Sequence, residues 1–388
     1  MSKKKILFLT GTRADFGKVK SLIHATENED NFKCSVFVTG MHMLSRYGLS
    51  VEEVRKEGFK EIYTFINQVH GEPMELILAN TISGLSRYMH EFSPDLIVVH
   101  GDRIETLAGA ISGALTNTLV AHIEGGEISG TIDELIRHSV SKLSHLHFVA
   151  NDLAAKRLRQ LGENNNSIYV IGSPDIDIML SEKLPSLEAV KKHYEINFDN
   201  YGVVIFHPVT TEQEKQYGRT KELVEALLET GQNYVVIYPN NDQGSEYIFE
   251  AYKALEGNPR FKIFPCMRFE YFLTLIKNSR YIIGNSSAGI REAPVYAVIS
   301  VNIGNRQRNR FYHETIINAD YDKKSILDSI AKIKYMNKSA PCHHFGDGNS
   351  VSYFIKAIRS DKLWKTAKQK EFCDLISMNS VSKIKRIS

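Results

Sequence analysis

The stretch DLIVVHGDRIETLAGAISGALTNTLVAHIEGGEISGTIDELIRH, residues 95–138, decides the fold class. It holds two short apolar runs, 96–99 and 118–121, rich in β-branched residues and closed by polar ones, as strands buried on both faces of a parallel sheet read. Where each run stops, acids and histidines begin: His100 and Asp102 after the first, His122, Glu124 and Glu127 after the second, then Asp133, Glu134 and His138. Ligands of open α/β sheets sit outside the carboxyl ends of the strands, so this stretch is expected to form the lip of a catalytic cleft. Carboxylates grouped in this way bind a metal, form an acid and base pair, or decorate a loop.

Working outward, the same alternation of strand-length apolar runs with helical periodicity continues in both directions. Residues 5–9, 34–38 and 62–65 precede the stretch, and 147–150 and 168–171 follow it, which predicts one sheet of roughly seven strands. Gly172 to Asp175 closes this half and 181–186 reads as a linker. The alternation then restarts at 203–206, 234–237, 261–264, 281–283 and 299–301. The expectation is two βα sheets in tandem with a small-molecule site in the cleft between them.

Composition agrees and excludes other classes. A chain of 388 residues is too long for one typical core, and 43% hydrophobic with 24% charged residues describes an ordinary globular protein. The net charge of +3, from 48 basic against 45 acidic residues, argues against a nucleic-acid surface. The four cysteines form no CxxC pair, which points to a reduced, cytoplasmic protein without a zinc or disulfide framework. The apolar run after the basic N-terminus stops at Leu9, too short for a signal peptide, and no run approaches membrane-spanning length.

Three motifs carry chemistry beside the acids. Gly11-Thr12-Arg13 is a tight turn at a strand end, and its guanidinium fork suits two phosphate oxygens; the plain alternative is a surface arginine. Residues 281–292, YIIGNSSAGIRE, run from a buried strand into a turn whose N–H groups and Ser286 and Ser287 hydroxyls can cradle a phosphate up to Gly289. Glu292 follows, where a carboxylate can accept two ribose hydroxyls; a simple serine cap is the alternative. His207 stands at the end of the strand 203–206, as a proton shuttle or a structural histidine. With no GxGxxG a dinucleotide redox cofactor is disfavoured. Cys342-His343-His344 lacks ligand partners at metal spacing and reads as a polar loop, and Trp364 as an anchor for a terminal helix. Because phosphate anchors exist outside the acid cluster, the acids are read as proton-transfer groups acting on the sugar of a nucleotide-sugar diphosphate, with no metal.

With Gly11-Thr12-Arg13-Ala14-Asp15, His100-Gly101-Asp102-Arg103, residues 122–127 (HIEGGE), 129–133 (SGTID), Arg137-His138, residues 207–211 (HPVTT) and Gly284-Asn285-Ser286-Ser287 in view, the chain resembles the hydrolysing UDP-N-acetylglucosamine 2-epimerases of bacterial sialic-acid pathways, over about residues 5–320. The resemblance implies a GT-B-like pair of Rossmann-type domains. Residues 1–179 are then the catalytic domain, joined by a C-terminal helix at about 360–388 that crosses back to it, and 180–359 bind UDP. It further implies conversion of UDP-N-acetylglucosamine and water to N-acetylmannosamine and UDP, by anti-elimination to 2-acetamidoglucal and hydration, at the first step of sialic acid biosynthesis. By position it assigns Asp102, Glu124, Asp133 and His207 as catalytic. Arg13, Ser286, Ser287, Gly289, Glu292 and Arg306 become UDP contacts, with His42 and Arg103 beside the sugar or phosphates. It implies a homodimer or homotetramer, no nucleic-acid or membrane partner and no cofactor; dependence on a divalent cation stays open. A UDP-diacetamido-trideoxyhexose substrate, a non-hydrolysing epimerase, and a glycosyltransferase or nucleotide-sugar binding module on the same fold are the other readings.

Overall fold

The stretch 95–138 folds as a strand, a helix, a second strand and a second helix, and its two strands lie side by side near the middle of a seven-stranded sheet. The fold is given by a computed structural model that describes residues 3–129, 132–307, 309–337, 339–371 and 373–374. The first sheet comprises β1 (Lys4–Thr10), β2 (Phe32–Val38), β3 (Ile62–Thr64), β4 (Leu96–His100), β5 (Leu119–Ile123), β6 (Leu146–Val149) and β7 (Ile168–Val170). All neighbours are parallel and the order is β3-β2-β1-β4-β5-β6-β7. The second sheet comprises β8 (Tyr201–Ile205), β9 (Asn233–Ile237), β10 (Phe261–Phe264), β11 (Tyr281–Gly284), β12 (Ile299–Ile303) and β13 (Ile316–Ala319). It is also all parallel, in the order β10-β9-β8-β11-β12-β13. Each sheet therefore reverses its winding once, between β1 and β4 and between β8 and β11, and a crevice opens at each reversal. The two α/β domains expected from the alternation are present.

Helices cover both faces of each sheet, as all-parallel sheets require. On one face of the first sheet Ile6, Phe8, Val98 and Phe148 pack with Phe16, Val19 and Ile23 of the helix Arg13–Glu27; on the other, Leu7, Ile97 and Val120 meet Ile77, Leu85 and Ala110. The second sheet repeats the plan, with Val204, Val236 and Ile283 on one face and Val203, Val235 and Ile282 on the other.

Three details depart from the sequence reading. β13 was not anticipated, because Ile316-Ile317-Asn318-Ala319 is short and interrupted by Asn318. Gly172 to Asp175 does not merely close the first half: Pro174–Met179 forms a helix, and Asp175 is wholly buried. The return to the first sheet comes earlier than 360, since the helix Ser350–Ile358 already places Phe354, Ile355 and Ile358 in the core of β1 and β6. The boundary expected at 359 thus falls before Ser350. A short helix Asp361–Trp364 follows, with Trp364 against Phe32 and its indole N–H donating to the Ile358 carbonyl at 2.7 Å. Residues 375–388, part of the expected terminal helix, lie outside the described residues. Among the described residues no helix is long and apolar enough to cross a membrane.

Candidate active site

The carboxyl ends of the two sheets face each other across a cavity of about 290 Å³. Each strand delivers its contribution in the turn that follows it. β1 supplies Thr12 and Arg13; β4 supplies His100, Asp102 and Arg103; β5 supplies Glu124. From the opposite side β8 supplies His207, β11 supplies Ser286 and Ser287 with Glu292 beyond them, and β12 supplies Arg306. Asp133 lines the same cavity from the helix Ile132–Leu143. Ten of the twelve anticipated residues are therefore brought together; His42 and Gly289 are not among the lining groups.

His42 is fully buried behind the β1 turn, bonded to the hydroxyls of Thr10 at 3.0 Å and Ser50 at 2.8 Å. Burial pushes its pKa down to about 4, and the ring lies behind the cavity wall rather than on it. Gly289 is a packing glycine: a Cβ there would come within 2.4 Å of Ser300 Oγ.

The turn after β1 is built by Thr12 and Asp15. Thr12 caps the helix Arg13–Glu27 while Asp15 accepts from the N–H groups of Gly11 and Thr12, both at 3.0 Å. Arg13 is placed by this cap at the cavity wall, but its fork is already engaged. Nε donates to Glu53 Oε2 at 2.8 Å, Nη2 lies 2.7 Å from Glu53 Oε1, and Nη1 contacts the Cys266 thiol. A two-pronged grip on a phosphate is thus not what this geometry offers; Arg13 presents an aligned cation instead.

His207 is fixed by Asn285, whose side chain accepts from the His207 N–H at 2.7 Å and donates to its carbonyl at 2.9 Å across the β8/β11 crevice. Its Nδ1 accepts the Asn240 N–H at 3.1 Å, which leaves the ring proton on Nε2. Burial first, then the nearby Arg306 and Arg103 charges, hold its pKa well below the histidine range. His207 is therefore a neutral donor at the cavity wall.

The acids differ sharply. Asp102 contacts the guanidinium of Arg137, and Arg306 Nη2 donates to Asp133 Oδ2 at 2.9 Å across the cleft. Glu124 is 4% exposed and sits in a set of charges of which only His100 and Glu292 were singled out beforehand. Lys18 Nζ lies 3.4 Å from Glu124 Oε1, 3.1 Å from Asp175 Oδ2 and 3.6 Å from Glu292 Oε1. Arg291 Nη2 donates to Glu124 Oε1 at 2.7 Å, and His100 Nε2 stands 3.4 Å from Glu124 Oε2. Burial alone would raise the Glu124 pKa, but Arg291, Lys18 and His100 outweigh it and hold the carboxyl well below its usual range. Glu292 is moved the other way, up, by burial that Lys18 only partly offsets, and its Oε2 has no hydrogen-bond partner among the described residues. That is an acceptor position a ligand hydroxyl can fill.

The remaining anticipated groups are engaged by neighbouring side chains and backbone. Glu127 holds Arg291 and Arg310, Glu134 accepts the Ser129 N–H at 2.7 Å, and His122 bonds the Gly101 carbonyl at 2.8 Å. His344 stacks on Phe311 with ring centroids 4.7 Å apart. Arg103 donates to Asp242 at 2.9 Å and Asn241 at 2.8 Å on the second sheet's rim, so it latches the two rims together. Of the residues missed, Lys18 had a readable signal: it follows Ala14 by four and so shares the cavity-facing side of its helix.

Comparison with known proteins bears on this geometry. A family model described as UDP-N-acetylglucosamine 2-epimerase matches residues 24–359. The chain is 48% identical over 375 residues to a Neisseria meningitidis protein named UDP-N-acetylglucosamine 2-epimerase, covering 96% of this chain and 99% of that one. It is 31% identical to a Legionella pneumophila protein named UDP-N,N'-diacetylbacillosamine 2-epimerase (hydrolyzing), covering 89% of this chain and 93% of that one. In fold it is similar to a crystal structure of a Neisseria meningitidis UDP-GlcNAc 2-epimerase bound to UDP-GlcNAc, with a TM-score of 0.76 at 21% identity, covering 92% of this chain and 99% of that one.

Proposed function

The chain belongs to the UDP-N-acetylglucosamine 2-epimerase family, and on that premise we propose that it hydrolyses UDP-N-acetylglucosamine to N-acetylmannosamine and UDP, and so acts at the first step of sialic acid biosynthesis. The observation that carries this reading is a single cleft in which Asp102, Glu124 and Asp133 from the first sheet face Arg306, the Ser286 turn and a neutral His207 from the second.

The chemistry explains the set. The C2 proton of an N-acetylhexosamine has no adjacent carbonyl, so a base cannot take it until the C1–O bond loosens. Arg13, Arg306 and the His207 Nε2–H meet the charge that grows on the departing diphosphate, and they are fixed in advance by Glu53, Asp133 and Asn285. The C1–O electron pair leaves with the diphosphate oxygen, Glu124 or Asp102 takes the C2 proton, and the C1=C2 bond of 2-acetamidoglucal forms. A Glu124 held ionised is a weak base that is always ready, which suits a proton made acidic by positive charge at C1. Water then adds its hydroxyl to C1, and Asp133 relays the proton it releases to C2 on the face that gives the manno configuration. Glu292 is suited to ribose hydroxyls through its Oε2, which has no hydrogen-bond partner among the described residues.

The Legionella relative supports a second substrate, a UDP-2,4-diacetamido-2,4,6-trideoxyhexose. Proton NMR of the purified protein with each UDP-sugar in deuterium oxide separates the readings. The expected result is free N-acetylmannosamine carrying deuterium at C2, with UDP released. Turnover of the diacetamido sugar alone selects the second substrate, and a manno sugar still bearing UDP overturns hydrolysis.

A further inference from the structure

Arg291 follows the Ser287–Gly289 turn after β11 by two residues, yet its guanidinium lies among side chains of the first sheet. Nη2 donates to Glu124 Oε1 at 2.7 Å and to Ser173 Oγ at 2.6 Å, Nη1 pairs with Glu127, and Asp175 Oδ2 lies 3.9 Å away. The Phe345 ring lies 4.6 Å from its charge centre. Arg291 is 1% exposed and does not line the cavity, whereas Glu124 does. It reaches the carboxylate from behind.

We propose that Arg291 is a positioning residue that ties the Glu124 carboxylate to the Ser286–Gly289 turn of the second sheet, so that the acid facing the sugar is oriented only when the turn facing the diphosphate is in place. This deepens the epimerase reading above and rests on it. A guanidinium can serve Glu124, Glu127 and Ser173 at once because its donors are fixed in one plane; an ammonium in the same place keeps the charge but not the angles. The side chain leaves the second domain and ends in the first, so separating the domains removes this donor from Glu124 and leaves it Ser173, Lys18 and His100.

The other groups facing Glu124 set what its loss does. Lys18 reaches it from the helix Arg13–Glu27 and His100 from β4, while Asp175 lies on Pro174–Met179, Arg137 on Ile132–Leu143, and Glu127 and Glu292 flank the pair. Without Arg291 three neighbouring carboxylates face Lys18, His100 and Arg137. Protonation of Glu124 then becomes easier and its carboxylate form fails at higher pH.

The test is Arg291→Lys and Arg291→Met, assayed with the UDP-sugar that the wild type turns over, for kcat, KM, the pH profile of kcat, and the melting temperature. For Arg291→Lys the expected result is a kcat about 100-fold lower with KM within about threefold and the acid limb unmoved. For Arg291→Met the acid limb moves up by about one pH unit or more. Should Arg291→Met not fold, Arg291→Lys decides alone. A lysine variant with wild-type kcat at a temperature well below its melting point, or one whose whole loss lies in KM, overturns the positioning role. A wild type that turns over no UDP-sugar defeats the epimerase reading instead, and the two failures are told apart by that first measurement.

Discussion

Glu124 holds a backbone φ of 64°, in the left-handed region that a non-glycine residue avoids. That costs roughly 1 kcal/mol, and it sits at one of the two carboxylates proposed to take the proton, where surrounding contacts hold the turn against its preference. Gly284, at the end of β11 in the second sheet, meets a related constraint by composition: its φ is 137°, and a Cβ there would stand 1.9 Å from the Ile205 carbonyl oxygen. Gly284→Ala is therefore expected to destabilise the protein by roughly 3 kcal/mol or more, read as a drop in the urea midpoint, and an unchanged midpoint would contradict this geometry. Asp102, Glu124 and His207 were legible because strand ends are visible in the sequence and polar residues at strand ends are few. The charge state of His207 and the occupied fork of Arg13 were not, because they depend on burial and on Glu53, a partner 40 residues away.

Among the elements, twelve of the strands announce themselves by short, largely apolar runs, and β13 and the helix Pro174–Met179 do not, since each owes its place to packing rather than to pattern. The helix Ser350–Ile358 is the extreme case. Nothing local in SVSYFIKAI says that it belongs to a sheet begun at Lys4, yet Phe354 lies with ring centroids 4.9 Å from Phe148 and 6.5 Å from Phe8. Phe354→Ala is expected to cost about 3–5 kcal/mol in chemical denaturation. A loss below about 1 kcal/mol would mean that the helix contributes little to the first core.

The two domains are held together by charged side chains that cross between them: Arg103 to Asp242, Arg306 to Asp133, and Arg291 to Glu124 and Glu127. Under the first rim lie histidines kept neutral. Folded His42 takes a proton only near pH 4 and His122 only near pH 3, while both do so near 6.5 when unfolded. Between those values the unfolded chain binds more protons, so this part of the stability is complete above about pH 6.5 and falls as the pH drops toward 4. The urea midpoint at pH 5 is expected to lie below that at pH 7.5, and equal midpoints would contradict the buried neutral pair. The placement of Ser350–Ile358 also has a consequence in time. A ribosome finishes β7 about 180 residues before it reaches Phe354, roughly ten to forty seconds at ordinary elongation rates. Through that interval the Phe8 and Phe148 face of the nascent first domain lacks its last cover, so the protein is born with its older half waiting on its younger one.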